Sequence, residues 1–213
     1  EVLPYYISCC DGQFTFIEEK PNEDNSAVAE RYAVTYNEKL EEVCRLKNLS
    51  IDESVYYLSA VYSKELDKYF VCHKSENDTG YKISRFDKNG KEEKQIFSDK
   101  DYDFCSNILI SDSRLVLGKY HYSPSKPYSS MQVIDFDGNT VTDDIRQSDE
   151  YYALTVQKVG NYYCPLSTRT GYDPKSQQYP EDTLHLYNGK TGKTVDFKPE
   201  EAIEMSCIRL TPD

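Results

Sequence analysis

Four short turn signals at nearly equal intervals constrain this chain more than any other feature of its sequence. Val133 to Val141 is an apolar, β-rich run that breaks at Asp137-Gly138 and then resumes. Asp-Gly between alternating apolar residues suits a two-residue hairpin turn, because both central positions need positive φ and these residue types tolerate it. The pattern stands upstream at Arg85-Phe86-Asp87-Lys88-Asn89-Gly90-Lys91 and downstream at Leu186-Tyr187-Asn188-Gly189-Lys190, with a degenerate copy at Thr35-Tyr36-Asn37-Glu38-Lys39. Marked by the aromatic at each turn, Tyr36, Phe86, Phe136 and Tyr187 lie 50, 50 and 51 residues apart. A fixed period of this size is the signature of a repeat architecture.

Period-two alternation around these turns predicts four half-buried strands, A to D, in each unit. The first unit has strands at Leu3 to Cys9, Gln13 to Glu19, Arg31 to Tyr36 and Leu40 to Leu46; the second at Ser54 to Tyr62, Lys68 to His73, Tyr81 to Phe86 and Lys91 to Phe97. The third has Cys105 to Ile110, Arg114 to Tyr122, Ser130 to Phe136 and Thr140 to Ile145; the fourth Tyr151 to Val159, Tyr162 to Leu166, Thr183 to Tyr187 and Lys193 to Phe197. The units are expected at 1–50, 51–98, 99–147 and 148–198, with an extra strand in 199–213, at Glu204 to Leu210. Only Ala27 to Glu30 and Pro199 to Met205 have helical composition, and both are short.

Four antiparallel strands repeated at this period resemble a β-propeller blade, and the resemblance spans essentially the whole chain. The fold class is therefore all-β: a propeller-like array of four-stranded antiparallel blades. The chain has no Trp and so no Trp-Asp dipeptide, no sialidase-type Asp box and no kelch-type double Gly. Its polar, Tyr-rich, turn-punctuated style is similar to extracytoplasmic bacterial propellers, which implies a cell-surface or secreted location. Four units and a strand fit part of a larger ring or a small ring sealed by the last strand. A twisted β-sandwich of repeated hairpins is the second architecture.

Composition narrows the function. The 13% aromatic content, with 20 Tyr and 8 Phe, argues for ordered strands with one wet face and against disorder. A formal net charge of -12 argues against nucleic acid as a partner, since phosphate binding rests on Lys and Arg. No apolar run reaches the length of a membrane-spanning helix. The seven Cys show no C-x-x-C spacing, so a zinc site is unsupported and most read as small strand hydrophobes; a disulfide from Cys9 or Cys10 to Cys207 is the alternative. No cofactor or metal is expected.

A four-strand meander sorts the loops onto two faces. The A-to-B and C-to-D turns are short and uniform, whereas the B-to-C loops at Pro21 to Glu30, Lys74 to Gly80, Ser123 to Ser129 and Ser167 to Asp182 are long and varied. Long loops on a regular scaffold are where binding resides. On that loop face the segments leading into each strand A are acidic, at Asp52, then Asp101 and Asp103, then Asp149 and Glu150. They form either an arc that attracts a cation or basic partner, or solvated charge that keeps edges soluble. Tyr122, Tyr128, Tyr172 and Tyr179 crowd the longest loops, as an adaptable contact surface or as packing. His73 and His121, near the ends of successive B strands, are expected on the same face, as site or as surface residues.

At the central turn, Asp135, Asp137, Asn139 and Asp143 stand at positions 1, 3, 5 and 9 of a calcium loop, but Arg146 occupies position 12, so a plain hairpin is the better reading. No nucleophile elbow, His-Glu-x-x-His or phosphate-binding Gly loop is present. These observations point to a non-catalytic binding or scaffolding module that contacts a protein or other extracellular ligand through the loop face. The alternative is a carboxylate-based hydrolase or lyase with an axial pocket; a third reading is an accessory part of a larger polypeptide.

Overall fold

In a computed structural model, residues 5–10, 12–21, 28–46, 49, 55–121, 128–146, 151–169 and 184–197 are described. They form four sheets, each a four-stranded antiparallel meander. The first holds β1 (Tyr5–Cys10), β2 (Gln13–Pro21), β3 (Val28–Asn37) and β4 (Glu42–Leu46). The second holds β5 (Val55–Ser63), β6 (Lys68–Ser75), β7 (Tyr81–Asp87) and β8 (Glu92–Asp99). β9 (Phe104–Ser111), β10 (Arg114–His121), β11 (Tyr128–Asp135) and β12 (Ile145–Arg146) make the third. The fourth comprises β13 (Tyr151–Val159), β14 (Tyr162–Arg169), β15 (Leu184–Asn188) and β16 (Lys193–Phe197). No helix occurs among the described residues, and Val28 to Glu30, helical in composition, open β3. The extra strand expected at Glu204 to Leu210 lies outside the described residues.

The sheets stack face to face, and this changes the expected burial. In β6, Tyr69 and Val71 pack with Ile17, Ala33 and Leu46 of the first sheet, while Phe70 and Cys72 pack with Cys105, Ile108, Leu115 and Leu117 of the third. In β10, Leu115 and Leu117 face the second sheet, and Val116 joins Val156, Tyr163 and Tyr187 of the fourth. β6 and β10 are thus buried on both faces instead of one, which is why they read as continuous apolar runs, Tyr69-Phe70-Val71-Cys72 and Leu115-Val116-Leu117. The first strand of each sheet is irregular near its start, at Tyr5/Ser8 in β1, at Tyr57/Ser59 in β5, between Cys105 and Asn107 in β9, and at Ala153/Thr155 in β13. A bulge there bends the strand and re-aims its first side chains.

The organising turns differ from the two-residue hairpin expected. In the third sheet Asp135 N–H donates to the Asn139 carbonyl and Gly138 N–H to the Asp135 carbonyl (2.9 and 3.1 Å). The loop therefore has three residues, and only Gly138, at φ 92°, is left-handed. The Asp135 carboxylate accepts from the Asp137 and Asn139 N–H groups (2.9 and 2.8 Å), so it closes the turn. Asp87 and Asn37 do the same, with Gly90 (φ 86°) and Leu40 (φ 64°) in the left-handed position. In the fourth sheet that position falls to Gly192 instead of Gly189. The structural equivalents are Asn37, Asp87, Asp135 and Asn188, so Phe136 lies inside its turn, where its ring stacks on Phe70 at 5.1 Å.

One further expectation is corrected. The D strand placed at Thr140 to Ile145 is only Ile145–Arg146, with an isolated bridge from Thr140 to Ile134. The Thr142 hydroxyl and the Val141 and Thr142 N–H groups bond Val133 instead, which breaks the ladder between them. Cys44, Cys72, Cys105 and Cys164 are free thiols. The Cys10 thiol donates to the Ile110 carbonyl at 2.8 Å, tying β1 to β9, and Cys207, the partner considered for Cys9 or Cys10, lies outside the described residues.

Candidate functional site

The loop-face end of the third sheet opens into a cleft of about 530 Å³ lined by Lys100, Asp101, Tyr102, His121, Tyr128, Asp144 and Arg146. Register explains the convergence. His121 ends β10 and Tyr128 begins β11 as direct cross-strand partners, Ser130 of β11 pairs with Arg146 of β12, and Asp101 and Tyr102 lie in the link from β8 to β9.

Tyr128 is the centre of the cleft. His121 stacks on its ring at 4.6 Å, the Arg146 guanidinium sits 4.1 Å from its centroid, and Tyr102 meets it edge-on at 5.4 Å. Its hydroxyl donates to the Asp101 carbonyl at 3.3 Å. Burial, and then nearby carboxylates against Arg146, hold the Tyr128 phenol above its ordinary pKa, so it remains a neutral donor. A cation and an imidazole on one ring use the negative quadrupole of its faces.

Beneath the cleft lies Lys119, its side chain 1% exposed. Its Nζ bonds Asp99 (2.8 Å) and Gln132 Oε1 (2.9 Å), pairs with Asp144, and sits 4.1 Å from the Tyr102 centroid. Burial raises the Tyr102 phenol well above its usual range. Lys119 thus fixes the positions of Asp144 and Tyr102 from below. At the rim, His121 Nδ1 lies 3.1 Å from Asp103 Oδ2, and Lys74 bonds the Asp103 carbonyl at 3.4 Å. A second open cleft, of about 430 Å³, shares Asp144 and Arg146 and continues toward His185, Tyr187 and Thr194 of the fourth sheet. There His185 Nδ1 is 2.7 Å from Asp196.

Of the residues singled out by sequence, Asp101, Asp103, His121 and Tyr128 come together here. His73 does not join them: its Nε2 bonds Ser84 Oγ at 2.9 Å, and burial pushes its pKa down. Asp52, Tyr122, Asp149, Glu150, Tyr172 and Tyr179 lie outside the described residues. Sequence reasoning missed Tyr102, Lys119, Asp144 and Arg146. The signal for Lys119 was present, since one cation inside the run Leu115 to Tyr120 requires a buried counter-charge. Among the described residues no group of three or more His, Cys, Asp or Glu is arranged to hold a metal.

The sequence matches no protein-family model and no curated protein. Solved structures do match. An acylaminoacyl peptidase of Pyrococcus horikoshii aligns over 96% of this chain and 33% of its own, with 13% identity and a TM-score of 0.58. The β-propeller domain of the Trilobed protease of Pyrococcus furiosus, described as having an open velcro topology, aligns over 95% of this chain and 58% of its own, with 9% identity and a TM-score of 0.57. One of two prolyl endopeptidases aligns over 95% of this chain and 30% of its own, with 11% identity and a TM-score of 0.55. The chain therefore spans between about a third and somewhat over half of the structures it resembles. At these identities the likeness concerns fold alone, and the chain has a β-propeller fold.

Proposed function

We propose that this protein is a non-catalytic binding module, working outside the cytoplasm, that contacts a protein or other extracellular ligand through the cleft at the loop face of the third sheet. The observation that carries the reading is the makeup of that cleft. It is open, it presents Tyr128 with Arg146 and His121 against its ring, Lys119 engages its Asp144 carboxylate, and the His121 ring meets Asp103 at the rim. Tyr and Arg on a rigid support are the residue types that anchor binding surfaces. A hydrolase or lyase would need two carboxylates poised as acid and base around a deep pocket; the His121–Asp103 pair is the one feature that favours it.

The three structures named above are peptidases or a protease domain by name, and the chain spans only part of each. An accessory propeller within a larger polypeptide belongs to the same reading. The test is selection of a random peptide library against the immobilised protein, with each selected peptide titrated against Tyr128→Ala and Arg146→Ala. Affinity is expected to fall at least about tenfold in both variants. Peptides that bind both variants as tightly as the unaltered protein place binding elsewhere and overturn the assignment.

A further inference from the structure

We propose that the loop-face ends of the four first strands form an aromatic collar, beside the cleft and distinct from it, that takes a large apolar or aromatic side chain of a polypeptide ligand. These strands gather together: β1, β5 and β9 contact one another, and β13 contacts β9. Each opens the same four-stranded meander, so each begins on the loop face. Each is also irregular near its start, and the residue three positions before the one that resumes the ladder is aromatic every time. Tyr5 precedes Ser8, Tyr56 precedes Ser59, Phe104 precedes Asn107 and Tyr152 precedes Thr155. The pairing agrees, since Tyr5, Tyr56, Phe104 and Tyr152 lie opposite Ile17, Lys74, Tyr120 and Thr168, each two positions beyond the partner of the resuming residue. The four positions are therefore equivalent in register. At their other ends the same strands finish on Cys10, Ser63, Ser111 and Val159, none of them aromatic.

Phe104 shows what such a position offers. It is 38% exposed although its ring stacks on Tyr120 at 6.3 Å, and the Lys74 ammonium stands 5.5 Å from its centroid. Packing thus leaves part of this ring in water, where covering it with apolar surface is favourable. An apolar side chain suits the collar better than a sugar does. Orienting a sugar takes polar groups for its hydroxyls, whereas Ser8, Ser59 and Asn107, the polar residues of the same stretches, are buried, and Asp103 is paired with His121. Asp103 also joins the two sites, since it precedes Phe104 in the chain and meets His121 at the cleft rim. The choice of a polypeptide rests on the binding role proposed for the cleft; the collar itself does not.

The chain has no Trp, so the emission of a Trp-containing probe is read without background. The experiment titrates acetyl-Gly-Trp-Gly-amide with the protein. A saturable blue shift of the probe is expected. Its affinity falls at least about fivefold in Phe104→Ala, in Tyr152→Ala, and in Phe104→Leu, which keeps bulk and removes the ring. Tyr162→Ala removes a ring 37% exposed at the opposite end of the fourth sheet and is expected to leave the titration unchanged. Cooperative thermal unfolding of each variant separates a lost contact from a lost fold. The inference is overturned by the absence of a saturable shift or by equal affinity in the folded Phe104 and Tyr152 variants. Displacement of the probe by methyl glucoside at lower concentration than by acetyl-Gly-Leu-Gly-amide overturns it as well. The selected library peptides test the cleft and this tripeptide tests the collar, so either reading can fail alone.

Discussion

Single residues in this protein are decided by whether their surroundings supply what the backbone or a charge requires. Leu40 stands at φ 64° where the equivalent turns have Gly90 and Gly138, and it is 72% exposed, so its side chain gains little to offset a conformation that crowds its Cβ. Leu40→Gly is expected to stabilise the protein by about 0.5–1 kcal/mol, read as a rise of about 1–4 °C in thermal midpoint. An unchanged or lower midpoint would mean that the Leu40 side chain contributes packing after all. Lys119 is the opposite case. Its ammonium is enclosed by Asp99, Asp144, Gln132 and the Tyr102 ring, so Lys119→Met would leave the Asp99 carboxylate, 11% exposed, without its partner. The expected loss is about 3–5 kcal/mol in urea unfolding. Removing the solvent-exposed Lys88–Asp67 pair is expected to leave the urea midpoint close to that of the unaltered protein, and this contrast in burial is what the comparison measures.

Among elements, the turns matter because they fasten one sheet to the next. The Arg85 guanidinium reaches the Phe136 carbonyl and Asp137 (both 3.4 Å), and Lys94 reaches the Asp137 carbonyl. A Cβ on Gly138 would lie 1.8 Å from the Ile96 carbonyl oxygen, so this Gly is needed for close approach as well as for its φ. Asp112 plays the same part between the third and fourth sheets. It accepts from the Tyr163 hydroxyl at 2.9 Å and pairs with Lys158 at 3.2 Å, and the Tyr163 hydrogen bond, then Lys158, holds its carboxyl below the usual range. A carboxyl whose native pKa is depressed contributes stability that is present above its unfolded value of about 3.9 and is lost as pH falls through the native value. The near-UV dichroism of the stacked Tyr163–Tyr187 pair is therefore expected to decline as pH is lowered below about 4, and less steeply in Asp112→Asn. Identical acid profiles for the two proteins would show that Asp112 does not couple these sheets.

For the whole molecule, burial is concentrated in β6 and β10. Tyr69 to Cys72 and Leu115 to Leu117 are at 0% exposure and are covered on both faces, whereas Glu92 to Gln95 of β8 and Lys193 to Asp196 of β16 are exposed. Amide exchange is expected to be slowest in β6 and β10 and fast along β8 and β16. Uniform protection across each sheet would contradict this layering. The cleft stands where the protected β10 emerges beside β11 and the two-residue β12, so the candidate site rests on the most rigid part of the fold.

Sequence alone determined what is local: the strands, their meander and the Asx residues that close the turns, because alternation and turn chemistry act over a few neighbouring residues. It also brought Asp101, Asp103, His121 and Tyr128 onto one face. It misjudged Phe136, whose ring belongs to packing on Phe70, since which way a residue faces depends on the adjoining sheet. It read β6 and β10 as half-buried for the same reason. Only the tertiary structure could place Lys119 beneath Tyr102 and set Arg146 on Tyr128 across β11 and β12. Those pairings span stretches of chain that no local pattern connects, and sheet-on-sheet packing decides them.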